Sequence, residues 1–432
     1  MRRRIAAAVA ALLASLAAVP GAGAAHGQAP LGRRLAKALT VPHVSPARSA
    51  ALAVDLTTGK VLYGRNQSLS LAPASNEKLP LTYALLTTLG PAFRIDTEVL
   101  GEGQLEGMIW HGDLVLRGYG DPSLSTGDLR VLAQQVRAQG IKRVSGSIRG
   151  DETYFDARRT APGWKASFYG DESAPLSALV VDRDRPFGIL AREPALAAAT
   201  VFRNTLKTAG VAVTGPATAG SVAEFSMPLA SVSSPTLATL IRYMDRESDN
   251  FTAEMLLKVL GADQPELGTS GAGAAVVTTA LSNAGIPLAG VRIVDGSGLS
   301  RLDRLTVGAI VGILQASWAD PAIRPFLVAA LPVAGVNGTL EARMRRGPAR
   351  GNVLAKTGTT SGASALSGYV KSRYVFAVLQ NGSPLSYWWA RVAQDRFATV
   401  LASAGASGKA RAVRACPPAR ERTPAASSGP PR

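Results

Sequence analysis

Strand-like segments sit near both ends of this chain, and helical patterns fill most of the interval between them. Residues 50–55 read as a strand, Thr57-Thr58-Gly59-Lys60 as a turn and residues 61–65 as the returning strand, which is a β-hairpin signal. Toward the other end, residues 352–356, 364–370 and 374–380 are strand-like, with a short turn at Lys371-Ser372-Arg373. Segments so far apart can join one antiparallel sheet if the intervening helices pack on its faces, so the layout is α+β. Those helices are expected at residues 196–210, 236–261, 271–285 and 307–317, with a last one at 390–404. From Phe93 the character changes. Strands at 97–100, 112–117 and 145–150 surround a helix at 127–138, followed by a loop-rich stretch and a strand-like run, Leu179-Val180-Val181-Asp182. Residues 93–186 are therefore expected to form an inserted, smaller α/β domain. Residues 50–92 and 187–405 would form one discontinuous domain, preceded by a leader of uncertain order at 26–49.

The two ends read differently. Met1-Arg2-Arg3-Arg4, an apolar run over 5–19 and small residues through Ala25 have the order of a secretory signal peptide. The apolar run is shorter than the roughly 20 residues a membrane-spanning helix needs. Export would place the mature chain outside the cytoplasm, in periplasm, cell wall or medium. Residues 406–432 are rich in Ala, Ser, Pro, Gly and Arg, and read as a disordered basic tail. Net charge is +17. For an exported chain that favours attraction to anionic wall or membrane polymers, not to nucleic acid. With 6% aromatic residues, the interleaved aromatics of a single-strand nucleic-acid binder are missing too. Cys416 is the single cysteine, so no intramolecular disulfide can form. His26, His43 and His111 are not spaced as a ligand pair, and neither metal nor cofactor is expected.

Three short motifs carry chemistry. Ser75-Asn76-Glu77-Lys78 is S-x-x-K at a helix start, Ser248-Asp249-Asn250 is S-D-N, and Lys356-Thr357-Gly358 is K-T-G on a strand. Positions three apart share a helix face, so Lys78 can reach the Ser75 hydroxyl. Desolvation or a second cation such as Lys356 would lower the amine's pKa and free it to act as a base. Ser248 is a candidate proton relay between Lys78 and the leaving amine, and Asn250 a candidate amide for the substrate backbone. Lys356 and Thr357 offer a cation and a hydroxyl for a carboxylate. The Thr359 backbone N–H, with that of Ser75, could form an oxyanion hole. Pro80 lies two residues after Lys78, so the helix is either kinked or irregular in its first turn. Each motif alone is common; together, in this order and in these settings, they are not.

With those residues the sequence resembles the class C low-molecular-mass penicillin-binding proteins, the serine D-Ala-D-Ala carboxypeptidases and endopeptidases. The resemblance spans residues 50–404 and includes Gly118-Tyr119-Gly120-Asp121-Pro122-Ser123-Leu124, Asp295-Gly296-Ser297-Gly298-Leu299-Ser300 and Val336-Asn337-Gly338-Thr339-Leu340. It implies a penicillin-binding, serine β-lactamase-like transpeptidase fold: an antiparallel sheet flanked by helices, with an insert between the first two motifs. It further implies Ser75 as the acylated residue, Lys78 as base and Ser248, Asn250 and Lys356 as catalytic partners. Thr357, Gly358 and Thr359 would bind substrate. The implied substrates are peptidoglycan stem peptides, with β-lactams as covalent inhibitors. A serine β-lactamase is the nearest rival, but no E-x-x-L-N pattern supplies a deacylating glutamate; Glu193-Pro194-Ala195-Leu196-Ala197 lacks the Asn. A non-catalytic muropeptide or antibiotic binder is the other alternative.

Overall fold

The computed structural model describes residues 30–262 and 267–406. The expected signal peptide and all but the first residue of the expected tail lie outside them. In chain order the first elements are α1 (Pro30–Ala38), β1 (Ser49–Asp55), β2 (Val61–Arg65) and α2 (Lys78–Thr88). Next come β3 (Asp96–Glu106), β4 (Ile109–Gly118), α3 (Thr126–Ala138), β5 (Arg143–Val144), β6 (Ile148–Asp151), α4 (Pro194–Thr208), β7 (Ala212–Val213), β8 (Ala217–Ala219) and β9 (Met227–Ser233). Helices α5 (Leu237–Glu247), α6 (Asn250–Ala262), α7 (Ser270–Asn283), α8 (Val307–Ala319) and α9 (Arg324–Ala330) follow. The chain closes with β10 (Val353–Thr360), β11 (Ala363–Val370), β12 (Tyr374–Asn381) and α10 (Tyr387–Ala406).

The two ends do build one sheet, of order β10-β11-β12-β1-β2. Neighbours in it are antiparallel, and β1 pairs with β12 from Ser49↔Gln380 to Asp55↔Tyr374. Side chains alternate across a strand. Ala50, Leu52 and Val54 therefore enter the core with α2, α5, α6 and α8, while Ala51 and Ala53 enter the core with α1 and α10. Both faces are covered, which is why β1, β11 and most of β12 are buried along their whole length. The leader is not wholly irregular: α1 packs on α10 through the fully buried Leu35.

The inserted unit has its own seven-stranded mixed sheet and its own core between β4, α3 and α4. It runs further than expected. Strands β7 to β9 return to it, and β9 pairs with β3, so its sheet ends at Ser233 and not at 186. The run at 179–182 joins no sheet, although its first three residues are buried. The expected helix over 236–261 is broken at Ser248, whose φ of 60° ends α5 with a left-handed residue. That break separates Ser248 from Asn250 and aims their side chains independently.

Candidate active site

Ser75 sits on a single 3-10 turn, Ala74–Glu77, that leads into α2 at Lys78. Pro80 falls in the first turn of α2, where its missing N–H has no intrahelical partner to lose. The irregular part is the 3-10 turn before it, and the helix itself is not broken. The 3-10 turn is tied to β10 by Asn76, whose Nδ2 donates to the Lys356 carbonyl at 3.0 Å. Gly358 permits the close approach: a Cβ there would lie 2.9 Å from the Pro73 carbonyl oxygen and 3.1 Å from Ser75 N.

The three motifs converge. Lys78 Nζ is 3.3 Å from Ser75 Oγ, and donates to Asn250 Oδ1 at 2.9 Å and to the Ser297 carbonyl at 2.7 Å. Lys356 Nζ donates to Ser248 Oγ at 2.8 Å. Ser248 thus pairs with Lys356 and not with Lys78, while Asn250 holds the Lys78 amine. Thr357 shares a 2.7 Å hydroxyl contact with Thr339. The Ala355 N–H of edge strand β10 donates away from β11 to the Pro332 carbonyl. By alternation the Thr357 and Thr359 N–H groups lie along the same open edge. Ser75, Ser248, Asn250 and Thr359 line a cleft of about 250 Å³ together with Phe168, Glu172 and Leu299.

Burial lowers the pKa of Lys78 to about 8, against the pull of Asp295, Asp249, Asp245 and Glu254. Desolvation, and not Lys356 as a second cation, is the leading cause. Lys356 falls to about 7, first through burial and then through the charge of Lys78, with Asp245 opposing. Both amines can therefore exchange a proton near neutral pH, as a base must.

Sequence reasoning missed the carboxylates behind these amines. Glu77, Glu254, Asp295 and Asp303 are all buried there. Asp295 accepts from Gly298 N, Ser300 N, Ser297 Oγ and Trp164 Nε1, at 2.7 to 2.9 Å. Glu254 Oε1 accepts from Gly296 N and Ser297 N. Together they set the loop whose Ser297 carbonyl holds Lys78. Asp295-Gly296-Ser297-Gly298 was legible as a motif, but Glu254 is an unmarked helix residue. Burial and like charges push Glu77 well up and Glu254 to about 8. A carboxyl raised in the fold keeps its proton where the unfolded chain loses it. Its stabilisation is present below about pH 4.5 and fades as pH rises toward 8. A Glu254→Gln variant is expected to flatten part of that fall, seen as a smaller loss of Tm between pH 5 and pH 8 than in the wild type.

Residues 31–187 and 183–404 match the model of the D-Ala-D-Ala carboxypeptidase 3 (S13) family. The chain is 32% identical over 428 residues to a D-alanyl-D-alanine carboxypeptidase of Actinomadura sp. (strain R39), with 79% of each chain covered. It is 33% identical over 411 residues to carboxypeptidase DacB of Mycolicibacterium smegmatis, covering 87% of this chain and 85% of that one. Penicillin binding protein 4 of Haemophilus influenzae superimposes with a TM-score of 0.75 at 21% identity, over 86% of this chain and 98% of that one. That likeness shows the fold: the penicillin-binding architecture expected from the sequence.

Proposed function

The chain belongs to the D-Ala-D-Ala carboxypeptidase 3 (S13) family, and we propose that it is a serine D-Ala-D-Ala carboxypeptidase of peptidoglycan stem peptides, working through a Ser75 acyl-enzyme. The observation that carries the reading is the Ser75 Oγ–Lys78 Nζ contact, with the amine fully buried and the serine lining the cleft. Neutral Lys78 takes the hydroxyl proton as Ser75 Oγ attacks the carbonyl carbon of the penultimate D-Ala. The Ser75 and Thr359 N–H groups receive the oxyanion. Lys356 and Thr357, with Thr339 beside it, face the terminal carboxylate. Ser248, bonded to Lys356, passes a proton to the leaving nitrogen as the C–N bond breaks. Lys356 reprotonates Ser248 and is left neutral; water then attacks the ester, its proton passing through Ser248 to Lys356, and the Lys78 ammonium returns its proton to Ser75 Oγ as the acyl group leaves. A cross-link amine can leave by the same route, which is the D,D-endopeptidase form of the reaction.

Such work takes place where peptidoglycan lies, outside the cytoplasm; among the described residues no helix is long and apolar enough to cross a membrane. The net charge of +17 supports a supplementary attraction to anionic wall or membrane polymers. The Haemophilus protein of the same fold has been solved with a β-lactam, and β-lactams are expected to acylate Ser75 here. Purified protein should release D-alanine from a stem pentapeptide and gain the mass of one penicillin, and Ser75→Ala should do neither. Absence of both activities from folded wild-type protein would overturn the reading. Rapid loss of penicillin without an adduct would replace it with β-lactamase action.

A further inference from the structure

Between the inserted unit and the S-D-N loop lies a turn that the three motifs do not explain. Asp182, Arg183 and Asp184 are consecutive non-glycine residues with φ of 50°, 55° and 61°. Left-handed residues of this kind cost about 1 kcal/mol each and persist where the surroundings over-determine them. Here they do. The Asp182 carboxylate accepts from Thr126 N at 3.0 Å, and its own N–H donates to the Leu124 carbonyl at 2.9 Å, which ties the turn to the start of α3. Asp184 is buried and its carbonyl accepts from Ala191 N at 2.9 Å.

The residue presented by the turn is Arg183. Its Nη2 donates to Asp249 Oδ2 at 2.7 Å, and its guanidinium lies 5.0 Å from the Phe251 ring centre. Asp249 is the middle residue of S-D-N. Its other oxygen, Oδ1, accepts from Thr252 N and so caps α6 at 2.8 Å. One carboxylate therefore joins the cap of α6 to a guanidinium from the insert. On either side of it, Ser248 meets Lys356 and Asn250 meets Lys78.

We propose that Arg183 is a positioning residue for acylation: through Asp249 it lets the inserted unit hold Ser248 and Asn250 in register with the two lysines. The inference rests on the acyl-enzyme reading of Ser75. A surface ion pair contributes little to stability, and this one is partly exposed on the arginine side. Its effect falls on geometry, where a displacement of about 1 Å can cost on the order of 10²-fold in rate.

The test measures the second-order rate of acylation by a fluorescent penicillin, with Tm measured in parallel. Arg183→Ala is expected to lose on the order of 10²-fold in rate with little change in Tm, and millimolar guanidinium is expected to restore part of that loss. Arg183→Lys, which keeps the charge but not the fork, should fall between. Arg185→Ala, on the same turn, should react at the wild-type rate. Wild-type rates in both Arg183 variants, or a loss that guanidinium leaves untouched, would overturn the inference. Should Arg183→Ala fail to fold, Arg183→Lys decides the matter, and an undiminished rate there is the overturning result. An inert wild type would instead sink the acyl-enzyme reading.

Discussion

Lys78→Met is expected to lower the rate of acylation by a penicillin by about 10³–10⁴-fold, the upper part of the range for a lost general base. The amine is fully buried and touches the Ser75 hydroxyl. Its pKa of about 8 leaves a substantial neutral fraction at working pH, where an exposed lysine would be almost wholly charged. A base acts in its deprotonated form, so the wild-type rate should rise with pH and level off above about 8. The variant should retain a small rate without that inflection. Lys78→Arg keeps the charge but cannot deprotonate, so it should be as slow as Lys78→Met. A loss of less than about tenfold in both would exclude Lys78 as the base, since general-base effects begin near 10².

The sequence made the outer frame legible because its signals are local. The hairpin at 50–65, the strands around Lys371-Ser372-Arg373 and the helix at 307–317 each follow from turn residues and periodicity within a short window. The three motifs named the residues that meet at the cleft. Their pairing was less accessible. Whether Ser248 serves Lys78 or Lys356 depends on one left-handed residue at the end of α5, and a serine gives no local sign of that conformation. The end of the inserted unit was hidden for a related reason. Strands β5, β7 and β8 are two or three residues long, too short for an alternating pattern, and are defined by their partners in the sheet. The carboxylates behind the lysines come from residues 77, 254, 295 and 303, and only folding makes them neighbours.

Gly298→Ala is expected to damage stability and acylation together. Gly298 has a φ of +81°, and a Cβ there would stand 2.0 Å from the Ala74 carbonyl oxygen and 2.4 Å from its carbon. These are backbone atoms of a buried residue that itself has a φ of 48°, one position before Ser75. No side-chain rotation can relieve the clash, so either the Ser75 segment or the 296–298 loop must move. The first carries the nucleophile, and the second carries the Ser297 carbonyl that holds Lys78. Left-handed alanine costs about 1 kcal/mol and overpacking a further 1–3 kcal/mol or so. For a domain of this size that corresponds to a Tm lower by about 5–10 °C. The acylation rate should fall on the order of 10²-fold, because the contact between base and nucleophile is set by both segments. Gly347→Ala separates the two causes. Gly347 has a similar φ of +80° but nothing within 4 Å of its Cβ position. That variant should lose about 1 kcal/mol of stability and none of the rate. If Gly298→Ala behaved like Gly347→Ala in both measurements, the close packing of the 296–298 loop against the Ser75 segment would not be what sets the nucleophile.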